Sequence, residues 1–103
     1  MPDIQTIVLK IAEIVKREVD VKYRMFLFGS RVDDSHHPKA DIDIGILADQ
    51  PIDSKKFANI REEIDRIPTL LKIDFVDFSS VSREFRQIAL QKTRDITPID
   101  RKM

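Results

Sequence analysis

Residues 29–43 read GSRVDDSHHPKADID and join two short apolar segments, MFLF at residues 25–28 and IGIL at residues 44–47. The first apolar segment ends at a Gly-Ser pair, as expected of a buried strand that runs into a turn. The second is preceded by aspartates at residues 41 and 43, although Asp is unfavourable in strands. This pair of acids one residue apart therefore requires a chemical explanation.

The segments around this stretch follow helix and strand patterns in turn. Residues 4–15 have apolar side chains at helical spacing, with Asp3 as the expected N-cap. Strand patterns occupy residues 23–28, 41–47 and 72–78, and further helices are predicted around residues 57–67 and 81–89. This order predicts one α/β (α+β) domain over residues 1–103, with a small mixed sheet of three or four strands flanked by helices.

The segment from about residue 94 onward lacks clear periodicity and contains Pro98. We therefore expect an irregular tail. A short fourth strand around residues 96–99 is the alternative, although no pattern supports it.

The composition excludes several classes of protein. The chain of 103 residues has 18 basic and 18 acidic side chains, so no net charge steers it towards nucleic acid or an acidic membrane. It has no cysteine, which rules out disulfides and Cys-ligated metal sites. Its apolar runs are shorter than the roughly 20 residues that span a bilayer. A cytoplasmic protein without a membrane segment is expected.

The two aspartates suit a metal site. Asp41 and Asp43 share one strand face about 6.6 Å apart at the backbone, so their carboxylates repel unless a cation lies between them. Asp74 supplies a third carboxylate if its strand is a neighbour. Such oxygen ligands suit Mg²⁺ or Mn²⁺, which leave coordination positions for water and substrate phosphates. The acids therefore favour phosphate chemistry.

The Gly-Ser turn fits the same chemistry. Gly29 allows a ligand to approach the backbone closely, and Ser30 offers a hydroxyl group. The next N–H groups can point at an anion if a helical turn begins there. Arg31 places a guanidinium group nearby, which suits phosphate oxygens. These residues form a candidate phosphate-binding segment.

Gly-Ser, a loop, Asp-x-Asp and a later acidic strand together resemble the signature of the DNA polymerase β-like nucleotidyltransferase superfamily. The chain is most similar to the minimal, MNT-type nucleotidyltransferases of bacteria and archaea. Gly29 and Ser30, then Asp41 and Asp43, match the pattern without a gap, and KIDFVDF at residues 72–78 resembles the third-carboxylate strand. The resemblance extends from the first helix to about Ala89.

The resemblance implies a polymerase β-like fold and an enzyme that uses Mg²⁺ and a nucleoside triphosphate, expected to be ATP. The enzyme would transfer the nucleoside monophosphate to a hydroxyl acceptor. In that interpretation Gly29 and Ser30 hold the triphosphate, while Asp41 and Asp43 ligate metal. Asp74 also binds metal and accepts or orients the proton of the attacking hydroxyl.

MNT-type proteins resemble the antitoxin half of two-component modules, often paired with an all-helical HEPN-type protein. This implies a toxin-antitoxin-type module in which a helical HEPN-type partner closes the site and carries the acceptor hydroxyl. Homodimerisation is the alternative. A second function remains open, namely a weakly active or inactive antitoxin-like module whose role is to neutralise that partner.

The sequence departs from the family pattern in the loop, which often carries a small residue, Arg and Gly where this chain has Val32, Asp33 and Asp34. The two acids add negative charge beside the expected triphosphate and favour the binding-module interpretation. Ala40 replaces a common Ser, which is a milder change.

Three other polar residues near these motifs allow a plainer interpretation. His36 and His37 fit a solvated loop, because no partner spacing supports a transition-metal site. Asp77 competes with Asp74 for the third-carboxylate role, but strand alternation places the two on opposite faces. Asp74 is preferred because it lies inside the strand and matches the family position.

Overall fold

The computed structural model describes residues 3–33 and 37–98. Its helices are α1 (Ile4–Glu18), α2 (Ser54–Asp65) and α3 (Arg83–Ala89), and its strands are β1 (Tyr23–Phe28), β2 (Ile42–Ala48), β3 (Ile73–Asp77) and β4 (Arg94–Asp95). The four strands form one sheet in the order β3-β2-β1-β4. Strand β2 is parallel to β3 and antiparallel to β1, which is antiparallel to β4. This confirms the predicted α+β class with a small mixed sheet.

One face of the sheet is covered by α1 and α2. Helix α1 begins where Asp3 accepts a hydrogen bond of 2.8 Å from the backbone N–H of Thr6, which confirms the predicted N-cap. The apolar stripe of α1 packs on alternate residues of the strands, because side chains on a strand change face at every residue. The buried residues that represent this core are Ile7, Ile11, Met25, Leu27, Ile42, Ile44, Ile60 and Phe75.

The opposite face carries a cluster of aromatic rings. Phe26 and Phe28 of β1 pack edge-to-face against Phe78, with ring centroids 5.0 and 5.1 Å from it. Gly45 is opposite Phe26, and a Cβ there would come within 2.5 Å of ring atoms of Phe26 and Phe78. Phe85 of α3 packs against the rings of Phe28 and Phe78, so α3 lies over this second face.

The tail, which was expected to be irregular, contains a two-residue strand at residues 94–95, whereas residues 96–98 have no regular secondary structure. Arg94 and Asp95 pair with Leu27 and Phe26 as β4, two residues before the weighed alternative of residues 96–99. Thr97 extends this attachment, because its hydroxyl accepts a hydrogen bond of 2.9 Å from the N–H of Met25. Tertiary hydrogen bonds to β1, rather than any local apolar period, hold the segment. Residue 99 lies outside the described residues.

None of the helices described by the structure is both long enough and apolar enough to cross a membrane. The longest, α1, has 15 residues and one polar face.

Candidate active site

The turn after β1 brings the two halves of the signature together. Gly29 begins a 3-10 turn, Gly29–Val32, with φ of 71°, a left-handed conformation that favours glycine. A Cβ at residue 29 would overlap the carboxylate oxygen Oδ2 of Asp43. The absence of a side chain thus lets the acidic strand lie directly against the turn. Ser30 is exposed beside it.

The sheet register aligns the acids. Phe28, the last residue of β1, is opposite Asp43 on β2, and Asp43 is opposite Asp74 on the parallel strand β3. Asp41 directly precedes β2 and is exposed. The chain therefore places Asp41, Asp43 and Asp74 at one end of two neighbouring strands, on the face that carries the aromatic rings.

The electrostatics of Asp43 show that these carboxylates act on one another. Partial burial is the largest cause that raises the pKa of Asp43 above its ordinary value, followed by the carboxylate of Asp74 and then that of Asp41. Lys72 opposes the effect, and its ammonium group lies 3.8 Å from Asp74. The ionised site thus carries a repulsion that a bound cation would relieve.

The donor set fits a hard divalent cation. Within residues 3–33 and 37–98, no three His, Asp or Glu side chains already enclose a metal position. Mg²⁺ does not require such a cage, because it commonly uses one or two protein carboxylates with water and substrate phosphates. Asp43 with Asp74 or Asp41 supplies that number of ligands.

Arg31, the expected phosphate contact, lies in a different environment. Its side chain is only 5% exposed, and its guanidinium donates to the carbonyl oxygens of Ala40 and Pro38 at 3.0 Å each. These bonds fasten the end of the loop just before Asp41. The geometry favours a role in positioning the loop, and contact with phosphate stays a prediction.

The remaining polar candidates make local contacts. His37 is exposed, and its Nδ1 accepts a hydrogen bond of 3.0 Å from the N–H of Lys39, so it forms part of a loop turn. His36 lies outside the described residues. Asp77 accepts hydrogen bonds from the N–H and hydroxyl of Ser79 at 3.0 and 2.7 Å. As the last residue of β3 it holds the turn that follows, and it is not part of the acidic group.

Sequence reasoning missed two lysines near these motifs. Lys72 is two residues before Asp74, so strand alternation could have predicted that it shares the acidic face. Lys92 follows α3 and forms an ion pair with Asp33 beside the Gly-Ser turn. No local pattern could have found this pair, because 59 residues separate its members.

A groove of about 870 Å³ lies between α1 and the β4 tail and is lined partly by Leu9, Leu27 and Ile96. It contains none of the three site aspartates. A smaller pocket of about 340 Å³ begins at Gly29 and is bounded by Phe28, Phe85 and Lys92. The larger of these two cavities therefore does not coincide with the acidic residues.

Comparison with known proteins agrees with this geometry. Residues 9–102 match the family model described as "Polymerase beta, Nucleotidyltransferase", so the chain belongs to this nucleotidyltransferase family. The chain is 26% identical over 86 residues to a protein from Haemophilus influenzae named "Probable protein adenylyltransferase MntA". That alignment covers 84% of this chain and 75% of the relative.

Two solved structures have the same fold. One is tri-AMPylated Shewanella oneidensis HEPN toxin in complex with MNT antitoxin, where the match has a TM-score of 0.69 and 21% identity and covers 92% of this chain and 72% of the other. The second is a toxin-antitoxin structure with AMP-PNP, matched with a TM-score of 0.71 and 22% identity over 90% of this chain and 74% of the other. The resemblance to MNT-type proteins and the polymerase β-like fold are thus confirmed.

Proposed function

We propose that this chain is a Mg²⁺-dependent nucleotidyltransferase that moves a nucleoside monophosphate, with ATP as the donor, to a hydroxyl group. The observation that carries the proposal is the alignment of Asp43 with Asp74 on parallel strands, with Asp43 lying against the side-chain-free Gly29. Phosphates held at the turn would lie beside carboxylates able to hold a divalent cation. This is the arrangement that phosphoryl and nucleotidyl transfer require.

Each residue of the site has a distinct role in the proposed reaction. Gly29 and Ser30 bind the triphosphate through open backbone and a hydroxyl group, while Asp41 and Asp43 hold the cation. The acceptor oxygen attacks the α-phosphorus, the α–β phosphoanhydride bond breaks, and pyrophosphate leaves. Asp74 also binds the cation, and it takes or orients the hydroxyl proton. Bound Mg²⁺, for which Mn²⁺ can substitute, supplies charge neutralisation for the attacking and leaving oxygens.

The acceptor is proposed to be a hydroxyl on a helical HEPN-type partner protein. Two findings support this: the Haemophilus relative is named as a protein adenylyltransferase, and one structural neighbour is an MNT antitoxin in complex with a tri-AMPylated HEPN toxin. The acidic site lies at one end of the strands with Asp41 exposed. A partner that covers this end would exclude water and strengthen its electrostatic interactions.

The test is transfer of adenylate to that partner. The partner co-purified with the chain should gain one or more adenylate units in intact mass after incubation with ATP and Mg²⁺. Chelation of the metal, or Asp43→Asn, should abolish the gain. Asp49→Asn is the matched control, because it removes one negative charge at an exposed position at the other end of β2. It should leave the gain in mass unchanged. A wild-type rate in Asp43→Asn would contradict the proposed metal site.

The second candidate is an antitoxin-like binding module with little or no catalysis. It is favoured by the acids at residues 33 and 34, which add negative charge to the loop that follows the Gly-Ser turn in the sequence. If the chain neutralises its partner while the partner's mass stays unchanged with ATP and Mg²⁺, this function replaces transfer. If Asp43→Asn abolishes both neutralisation and the mass gain, transfer is the mechanism of neutralisation.

A further inference from the structure

An ion pair connects the Gly-Ser loop with the segment after α3. Lys92 pairs through its ammonium group with the carboxylate of Asp33, which directly follows the 3-10 turn Gly29–Val32. Lys92 also lines the pocket of about 340 Å³ that Gly29 shares with Phe28 and Phe85. The ammonium group is therefore held beside the turn on which the triphosphate is proposed to lie.

The cations elsewhere in the site have other contacts. The guanidinium of Arg31 is buried on the carbonyls of Ala40 and Pro38, and the ammonium of Lys72 lies 3.8 Å from Asp74. A triphosphate brings several negative charges to a site that already contains acids. Lys92 is the cation in the pocket lining, where a charge-assisted contact with phosphate oxygens can form.

We infer that Lys92 is a triphosphate-binding residue and that Asp33 holds its ammonium group beside the turn until the nucleotide arrives. The side chains of Lys92 and Asp33 are 66% and 44% exposed, so water can solvate both groups while the pair exchanges. The flexible four-carbon stem of lysine allows the ammonium to move from one anion to the other. The inference rests on the proposed function, since it assigns a further contact to the same nucleotide.

The pair also accounts for the acid in the loop. A carboxylate at residue 33 without a neighbouring cation would repel the phosphates, whereas the paired carboxylate has much of its charge compensated. Asp33 therefore holds the ammonium group of Lys92 beside the turn. Lys92 in return compensates the charge with which Asp33 would otherwise repel the phosphates. This assigns a function to a departure from the family pattern.

The experiment titrates the chain with α,β-methylene ATP and Mg²⁺ by calorimetry, because this analogue cannot be cleaved at the bond that transfer breaks. Lys92→Met should weaken binding by roughly tenfold or more, as expected for loss of a charge-assisted contact. Lys92→Arg should retain most of the affinity. Lys10→Met makes the same charge change on α1, on the opposite side of the sheet, and should leave the affinity unchanged.

Further measurements on the same variants decide the inference. Inorganic tripolyphosphate should show the same Lys92→Met deficit, whereas adenosine binding should not change, because the ammonium is assigned to the phosphates. Asp33→Asn should tighten binding more in the Lys92→Met background, where the carboxylate has lost its compensating cation, than in the wild-type chain. Equal affinities for Lys92→Met and Lys10→Met would overturn the assignment while leaving the Asp43-dependent transfer intact. No binding by the wild-type chain would overturn both proposals.

Discussion

Asp43 lies so close to Gly29 that the carboxylate occupies the space a side chain at residue 29 would need. The positive φ of 71° at Gly29 turns the chain there, and the missing Cβ admits the acid. The phosphate-binding candidate and the metal-binding candidate are therefore parts of one packed unit, although 14 positions of sequence separate them. Changes at either residue should alter the other's function.

Gly29→Ala should damage both the fold and the site. A Cβ in the left-handed region costs about 1–2 kcal/mol, and here it would also displace Asp43. We expect a lower melting temperature and loss of Mg²⁺-dependent transfer, measured on the same preparation. Ser30→Ala, at the exposed neighbouring position, should keep the melting temperature while weakening triphosphate binding. Normal stability in Gly29→Ala would show that the turn relaxes without strain.

Asp74→Asn and Asp77→Asn form a matched pair on one strand. Asp74→Asn should lower the transfer rate by about 100-fold or more, because the residue is proposed to bind metal and handle the proton. Asp77→Asn should have little effect, since an amide oxygen can still accept the hydrogen bonds from Ser79. Both variants should fold. The opposite ranking of their rates would move the third-carboxylate role to Asp77.

Asp43→Asn should stabilise the chain in the absence of metal, in a pH-dependent way. Folding raises the pKa of Asp43 above its ordinary value of 3.8, so the folded state binds this proton more tightly than the unfolded state. The resulting stabilisation is complete below pH 3.8 and is lost as the pH rises through the raised pKa. At neutral pH the ionised carboxylate is therefore destabilising.

Thermal unfolding with a chelator tests this pH dependence. The melting temperature of Asp43→Asn should exceed that of the wild-type chain at neutral pH, and the difference should shrink as the pH falls towards 3.8. Asp49→Asn, in an exposed position, provides the comparison for an ordinary carboxylate. A wild-type chain that is more stable than Asp43→Asn at neutral pH would contradict the repulsion in the site.

Arg31→Met should act through the loop. It removes the hydrogen bonds that the guanidinium donates to the carbonyls of Ala40 and Pro38, and losing such charge-assisted bonds costs about 1–3 kcal/mol. The melting temperature should therefore fall even without nucleotide. Arg24→Met, on an exposed position of β1, is the control. Unchanged stability together with weaker triphosphate binding would instead support the direct phosphate contact.

The sequence by itself determined the order of the elements as far as α3, and it indicated which acids form the candidate site. Helical spacing predicted α1 with its Asp3 cap, and alternation predicted the two faces of β2 and β3. Gly-Ser followed by Asp41 and Asp43 indicated the family, because glycine and paired strand acids are locally unfavourable choices that chemistry can explain. These signals can be recognised in the sequence because the periodicity of side chains and the conformation of the backbone are local properties.

The tertiary structure alone decided which distant residues meet. The attachment of Thr97 to Met25, the pairing of Asp33 with Lys92 and the burial of Arg31 on loop carbonyls have no local pattern. A two-residue strand such as β4 is too short to show a period, and an ion pair depends on where two backbones pass in space. Hydrogen bonds and ion pairs depend on how close two groups lie in space, whereas the sequence gives only their separation along the chain.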